Sequence, residues 1–245
     1  MPYSLFLDLY GVLADSGLMT YHYRQRMARI LSERYGGSYE HWLEIHDEGL
    51  ELLETEGEKL DSLPDEMREG DAWVRAVGDM EAENFVHMLK LAGLPPPRNP
   101  LKVMREVETE VVSEVNALYP DVVPTLRRLK REGHRLYLST NVSRSNGESA
   151  LIGGGIRDMF DDVILLEVGR AKKNRPYYWE RAFGVAGVTP SESIVVDDVA
   201  TYLAPPAELG ARCIQMIRPD RALNKRGRFP IIDSLEKLPP YLKSL

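Results

Sequence analysis

From Pro120 onward the sequence alternates short apolar runs with helical segments. HRLYLST, DDVILLE, SIVVDD and ARCIQMI are set apart by stretches such as RPYYWERAFGV and AELG. Runs that are apolar along their whole length read as strands covered on both faces, the pattern of a mostly parallel sheet flanked by helices. Gly133 sits where a C-cap glycine closes helix VVPTLRRLKREG ahead of HRLYLST. One further strand of the same character, Ser4 to Leu9, stands near the start of the chain. Between it and Pro120 lie about a hundred residues of helical pattern. The expected architecture is therefore α/β: a Rossmann-like, mostly parallel core from residues 1–16 and 117–245, with an α-helical cap at 17–116 inserted after the first strand.

Within the insertion, LMTYHYRQRMARILSERYG places Leu18, Tyr21, Met27, Ile30, Leu31 and Tyr35 on a helix that Gly36-Gly37 ends. HWLEIHDEGLELLETE and DAWVRAVGDMEAENFVHMLKLAG repeat the pattern, and LPPPRNP is a rigid connector. LKVMREVETEVVSEVNALY carries a valine stripe at Val103, Val107, Val111 and Val115. From Glu40 to Asp71 the chain is acidic, offset only by Lys59 and Arg68, and reads as a solvated face.

Composition narrows the partners. With 43% hydrophobic and 28% charged residues the 245-residue chain matches a soluble globular protein, and a net charge of −7 argues against nucleic acid. No apolar segment approaches membrane-spanning length, and Met1-Pro2-Tyr3 leads into a strand without a basic signal region. The one cysteine, Cys213, lies between apolar neighbours and reads as a core residue; an internal disulfide is excluded. The expectation is a cytoplasmic protein acting on a small molecule, with no nucleic-acid or membrane partner and its oligomeric state left open.

Ligands of open parallel sheets bind beyond the carboxyl ends of the strands. Three strands here end in polar residues: Asp8, then Ser139-Thr140-Asn141, then Asp197-Asp198, while Lys172 and Lys173 precede a helix on the same side. Taken singly, Asp8 and Asn141 could cap turns and either lysine could be solvated. Adjacent carboxylates ending an apolar strand, however, need a cation or donors. If the strands are neighbours, a carboxylate nucleophile, a hydroxyl, an amide, a lysine and an acidic pair share one crevice. Such a set can bind a phosphoryl group and Mg²⁺.

These segments closely resemble the haloacid dehalogenase-like (HAD) hydrolase superfamily. DLYGVLADS is similar to its first motif, LYLSTN to its second, and KKNRPYYWERAFGVAGVTPSESIVVDD to its third and fourth. Lys173, Pro176, Trp179, Gly187, Val188, Pro190 and Glu192 occupy the family's positions in that last stretch, although Asn174-Arg175 replaces its usual Pro-Asp. The resemblance implies Asp8 as nucleophile, Thr140 and Asn141 orienting a phosphoryl group, and Lys173 neutralising charge, with Lys172 as the other candidate. It implies Mg²⁺ held by Asp8, the Tyr10 carbonyl and Asp198, with Asp197 in support.

Tyr10 departs from the phosphatase pattern, which has an aspartate there to protonate the leaving group. A phenol of pKa near ~10 is a poor base at neutral pH, and losing acid–base assistance costs on the order of 10²–10⁴ in rate. DLYG instead resembles the D-x-Y-G of L-2-haloacid dehalogenases, whose aspartate forms an ester with carbon without metal. That family sets a cap arginine against the substrate carboxylate, for which Arg24 or Arg26 is the candidate here. Asp197-Asp198 opposes this assignment, since paired carboxylates facing Asp8 repel a substrate anion unless a cation intervenes. The leading expectation is a Mg²⁺-dependent phosphohydrolase working through phospho-Asp8. The alternatives are a dehalogenase-like hydrolase and a non-catalytic binding protein of the same fold.

Overall fold

The structure, a computed structural model, describes residues 2–219 and 225–245. Its sheet is built from β1 (Ser4–Leu7), β2 (Arg135–Ser139), β3 (Asp162–Ile164), β4 (Ser193–Asp197), β5 (Arg212–Met216) and β6 (Ile231–Ile232). All neighbours are parallel, in the order β3-β2-β1-β4-β5-β6. The strand order reverses direction beside β1, the topological switch point at which such sheets bind ligands. Leu5 and Leu7 of β1 face one layer, with Leu136, Leu138, Ile194 and Val196; Phe6 faces the other, with Tyr137, Val195 and Trp179.

Four helices, α1 (Ser16–Tyr35), α2 (Tyr39–Asp61), α3 (Gly70–Leu91) and α4 (Pro100–Val112), run between β1 and α5 (Val122–Arg131). Capping explains three of the starts: the Asp15 carboxylate accepts from the Gly17 and Leu18 amides, Ser38 from His41, and Asn99 from Lys102 ahead of Pro100. Met27, Leu31, Trp42, Phe85, Val107 and Val111 join Leu5 and Leu7 in one continuous apolar core. The remaining helices are α6 (Arg144–Gly153), α7 (Leu166–Gly169), α8 (Pro176–Ala186), α9 (Ala200–Glu208) and α10 (Leu238–Lys243). No helix among the described residues is long and apolar enough to cross a membrane.

Several boundaries differ from the sequence expectation. β1 stops at Leu7 because the Leu9 carbonyl already accepts from the Leu13 and Ala14 amides, turning the chain. β3 stops at Ile164, and the expected strand end DDVILLE curls into α7. α4 stops at Val112, where a Cβ on Gly153 of α6 would lie 2.5 Å from the Val115 carbonyl and 2.8 Å from that of Val112. Only glycine lets the two helix ends approach so closely. On α1, Leu18 and Tyr21 face solvent instead of the core, whose contacts come from Met19, Met27, Ala28, Ile30 and Leu31. Cys213 is buried as expected, and burial pushes its thiol up to about 12.

The acidic stretch also behaves differently at its far end. Along α2 the carboxylates are exposed, but residues 61–71 are held by a basic core loop. Lys172 pairs with Asp61, Arg170 with Asp71, and Arg175 with both Asp65 and Glu69. The Gly70 amide also donates to the Arg170 carbonyl at 2.8 Å. The turn between α2 and α3 is therefore clasped to the loop that carries Lys173.

Candidate active site

Parallel register brings the strand ends together. Leu7 pairs with Leu138 on one side and Val196 on the other, so Asp8 emerges between Ser139 and Asp197. The Asp8 amide extends the ladder, donating to the Val196 carbonyl at 3.0 Å. Asp8, Asp197 and Asp198 are buried, and carboxylate oxygens of all three lie within 4.8 Å of one another.

Lys173 enters this cluster from the loop before α8. Its Nζ donates to Asp8 Oδ1 at 2.5 Å, Asp197 Oδ2 at 2.6 Å and the Ser139 carbonyl at 3.3 Å, using its three protons. The loop is pinned on two sides: the Lys173 amide donates to Asn141 Oδ1 at 2.9 Å, and Trp179 Nε1 donates to the Lys173 carbonyl at 2.8 Å. The Tyr202 ring centroid lies 5.2 Å from Nζ. Burial disfavours the ammonium, but Asp197 and Asp8 outweigh it and hold Lys173 protonated. On Asp8 burial works against the charged form, with Asp197 and Asp198 adding to it and Lys173 opposing, so the carboxyl is raised above its ordinary value.

Among the described residues the Lys173 ammonium thus meets Asp8 and Asp197, with Asp198 converging beside them. The ligand atoms on offer are all oxygen, and the cluster is buried. That is the chemistry of a hard divalent ion such as Mg²⁺, and Asp8, Asp197 and Asp198 are the side chains able to hold it. Gly11 leaves the space: its φ is +87°, and a Cβ there would lie 2.4 Å from Asp198 Oδ2.

The sequence-derived candidates are not all gathered here. Thr140 is buried at the end of β2, its carbonyl accepting from the Tyr178 hydroxyl at 3.2 Å. Asn141 stands beside it, engaged with Lys173. Lys172 points the other way, to Asp61 and the Trp73 ring. Arg24 forms a two-pronged pair with Asp47, both contacts at 2.6 Å, and Arg26 pairs with Glu114. Neither arginine reaches the cavity of about 400 Å³ that opens beside Tyr10 under the helical layer.

Tyr10 leads into an unanticipated group. Its hydroxyl donates to Asn146 Oδ1 at 2.6 Å, and Asn146 Nδ2 donates to Glu108 Oε1 at 3.1 Å. Glu108, buried on α4, also accepts from Ser143 at 3.3 Å and from Ser145. Burial, with Glu108 and Asp8 adding, raises the Tyr10 phenol well above its ordinary value, against the lowering effect of Asn146. The sequence signal was slight: Glu108 directly follows the buried stripe residue Val107, and SRSN reads as capping residues.

A buried carboxylate thus stands at the switch point of a parallel α/β sheet, met by a lysine and two further aspartates. The family model for haloacid dehalogenase-like hydrolases matches residues 4–207, and the chain belongs to that family of enzymes. It is 30% identical over 105 residues to an enolase-phosphatase E1 from Citrobacter koseri, a match covering 41% of this chain and 44% of that one. It is 34% identical over 80 residues to a glyceraldehyde 3-phosphate phosphatase from Methanopyrus kandleri, covering 33% and 34%. The chain thus aligns with less than half the length of either relative. A solved 2-haloacid dehalogenase from Pseudomonas syringae superposes over 100% of this chain and 99% of its own, with a TM-score of 0.69 at 21% identity, a likeness of fold.

Proposed function

We propose that the protein is a Mg²⁺-dependent phosphohydrolase acting on a small phosphorylated metabolite. The observation that carries this reading is the convergence of Asp8, Asp197 and Asp198 within 4.8 Å of one another, with the Lys173 ammonium bonded to Asp8 and Asp197. The similarity to curated phosphatases supports it.

In this mechanism Asp8 Oδ attacks phosphorus, the ester P–O bond breaks with its electron pair leaving on the alcohol oxygen, and a phospho-Asp8 anhydride forms. Water then attacks phosphorus, the Asp8 oxygen leaves, and inorganic phosphate departs with the free carboxylate restored. Lys173 orients Asp8 and balances the charge brought in by the phosphoryl oxygens, while Thr140 and Asn141 stand at the adjoining strand end to orient them. A bound Mg²⁺ would supply electrophilic charge for those oxygens, held by Asp8, the Tyr10 carbonyl and Asp198 with Asp197 beside them. Tyr10 holds its proton firmly, so protonation of the leaving group is poorly assisted and good leaving groups react fastest.

Halide displacement from carbon by Asp8 is the second reading, favoured by Tyr10 in D-x-Y-G. Against it, among the described residues no lysine or arginine lines the cavity to receive a substrate carboxylate. The deciding experiment measures phosphate release from phosphate monoesters and acyl phosphates, and halide release from 2-haloacids, in Mg²⁺ and in chelator. Mg²⁺-dependent phosphate release lost in Asp8→Asn is expected. Chelator-resistant halide release would overturn the proposal in favour of the second reading. Absence of both activities, with no stabilisation by beryllium fluoride, would make the protein a non-catalytic binder.

A further inference from the structure

The cavity beside Tyr10 has a chemistry of its own. Its apolar wall is dominated by methionine, including Met19, Met27, Met80, Met88 and Met104, with Phe85 among them. Such side chains adapt to an irregular aliphatic guest. The polar groups set into this wall are Glu81, Asn84, Glu108 and His46, along with Tyr10, Tyr23, Asn146, Ser16 and Thr20.

Their charges and hydrogen bonds leave specific needs. Glu81 is answered by Arg105, whose Nε and Nη2 donate to Oε2 at 3.0 and 2.9 Å. Glu108 is answered by neutral donors alone: Ser143, Ser145 and Asn146. Asn84 is only 7% exposed, yet its Oδ1 has no hydrogen-bond partner; its Nδ2 reaches just the Met88 sulfur at 4.0 Å. Buried acceptors are normally satisfied, so an orphan in a ligand-sized cavity marks the place of a donor. His46 is no source of positive charge, since burial holds it below its ordinary value despite Asp47.

We infer that this cavity receives the organic part of the substrate, and that this part is an apolar group bearing an ammonium, hydrogen-bonded by Asn84 Oδ1 and balanced by Glu108. The assignment rests on the phosphohydrolase reading and names its substrate class: phosphate monoesters or anhydrides of an amine-bearing apolar alcohol or acid. A neutral hydroxyl would meet the need of Asn84 but leave the buried Glu108 without a counter-charge. A second carboxylate or phosphate on the tail would face Glu108 with no lysine or arginine among the described residues of the cavity wall, so dianionic metabolites are rejected.

Ligand-observed NMR titration of the wild-type protein with aminohexanol, hexanol and hydroxyhexanoate tests the cavity without requiring turnover. Aminohexanol should bind at least about tenfold more tightly than hexanol, as a charge-assisted hydrogen bond would give, and hydroxyhexanoate should not bind. Asn84→Leu should collapse the amine-to-alcohol ratio toward one, as should Glu108→Gln. Should Glu108→Gln not fold, Asn84→Leu carries the result alone. Equal affinities, or preference for the carboxylate, would overturn the inference. The matching aminohexyl, hexyl and carboxylate-bearing phosphates then separate the two claims. Phosphate release without amine preference sinks the cavity assignment, whereas amine preference in binding supports it, and release from neither these esters nor the matching acyl phosphates sinks the phosphohydrolase reading.

Discussion

The hydroxyl of Tyr10 donates to Asn146 Oδ1 at 2.6 Å, tying the loop that carries Asp8 to helix α6 and, through Glu108, to helix α4. This fixes the side chain two residues past Asp8 in a position from which it lines the cavity. It does so with a phenol whose proton is held more tightly than usual.

Tyr10→Asp should therefore raise turnover of phosphate esters with poor leaving groups, by up to the ~10²-fold that acid–base assistance commonly supplies. Acyl phosphates and aryl phosphates should gain little. Steady-state phosphate release across a leaving-group series measures this; a uniform change, or none, in a folded variant would count against a missing general acid.

Lys173→Met removes the one ammonium from a pair of essentially buried carboxylates, Asp8 and Asp197. Stranding a buried charge costs about 3–5 kcal/mol. Urea denaturation in chelator should show a loss of that order, and Mg²⁺ should recover part of it. Lys172→Met, which removes an exposed pair with Asp61, should barely shift the midpoint.

Burial raises Glu81 to about 7, with Glu108 and Glu167 adding and Arg105 opposing. Its folded pKa lies above the unfolded value of about 4.5, so between these pH values the native state binds the extra proton. Stability accordingly falls as pH rises from about 4.5 to 7 and then levels, a contribution on the order of 3 kcal/mol. Glu81→Gln should flatten this part of the profile in thermal or urea unfolding. A slope unchanged in the variant would assign it to other groups.

The ion pairs joining residues 61–71 to Arg170, Lys172 and Arg175 are partly exposed, so salt screens them. Hydrogen exchange of the α2–α3 turn should accelerate at high ionic strength, and in Arg175→Ala, while the β4 amides stay protected. Equal acceleration in both regions would mean global loosening rather than release of the clasp.

Much of this was visible in the chain. Fully apolar runs revealed the parallel strands, and because three of them end in polar residues, Asp8, Asn141 and Asp197 could be placed at one edge of the sheet. Choosing between Lys172 and Lys173 rested on motif resemblance; in three dimensions only Lys173 enters the strand ends. The Tyr10–Asn146–Glu108 connection was not legible, since it depends on how α4 docks against α6, and helical periodicity reports a buried face without naming what lies across it. Similarly, Asp61, Asp65, Glu69 and Asp71 read as solvated because their cationic partners lie about a hundred residues downstream. Arg24 and Arg26 are likewise taken up by carboxylates that helical periodicity does not reveal, Asp47 and Glu114.

The central position of β1 has a consequence for how the protein is made. β1, which leads into Asp8, leaves the ribosome well before its partners, the strands holding Leu138 and Val196 across from Leu7. Its apolar residues must wait, unpaired, while the four helices of the insertion are synthesised and can begin to fold. Pairings so distant in sequence form slowly. Asp8 and Lys173 therefore meet only when most of the chain exists, and a nascent or truncated product lacking β4 has Asp8 without Asp197 and Asp198 around it.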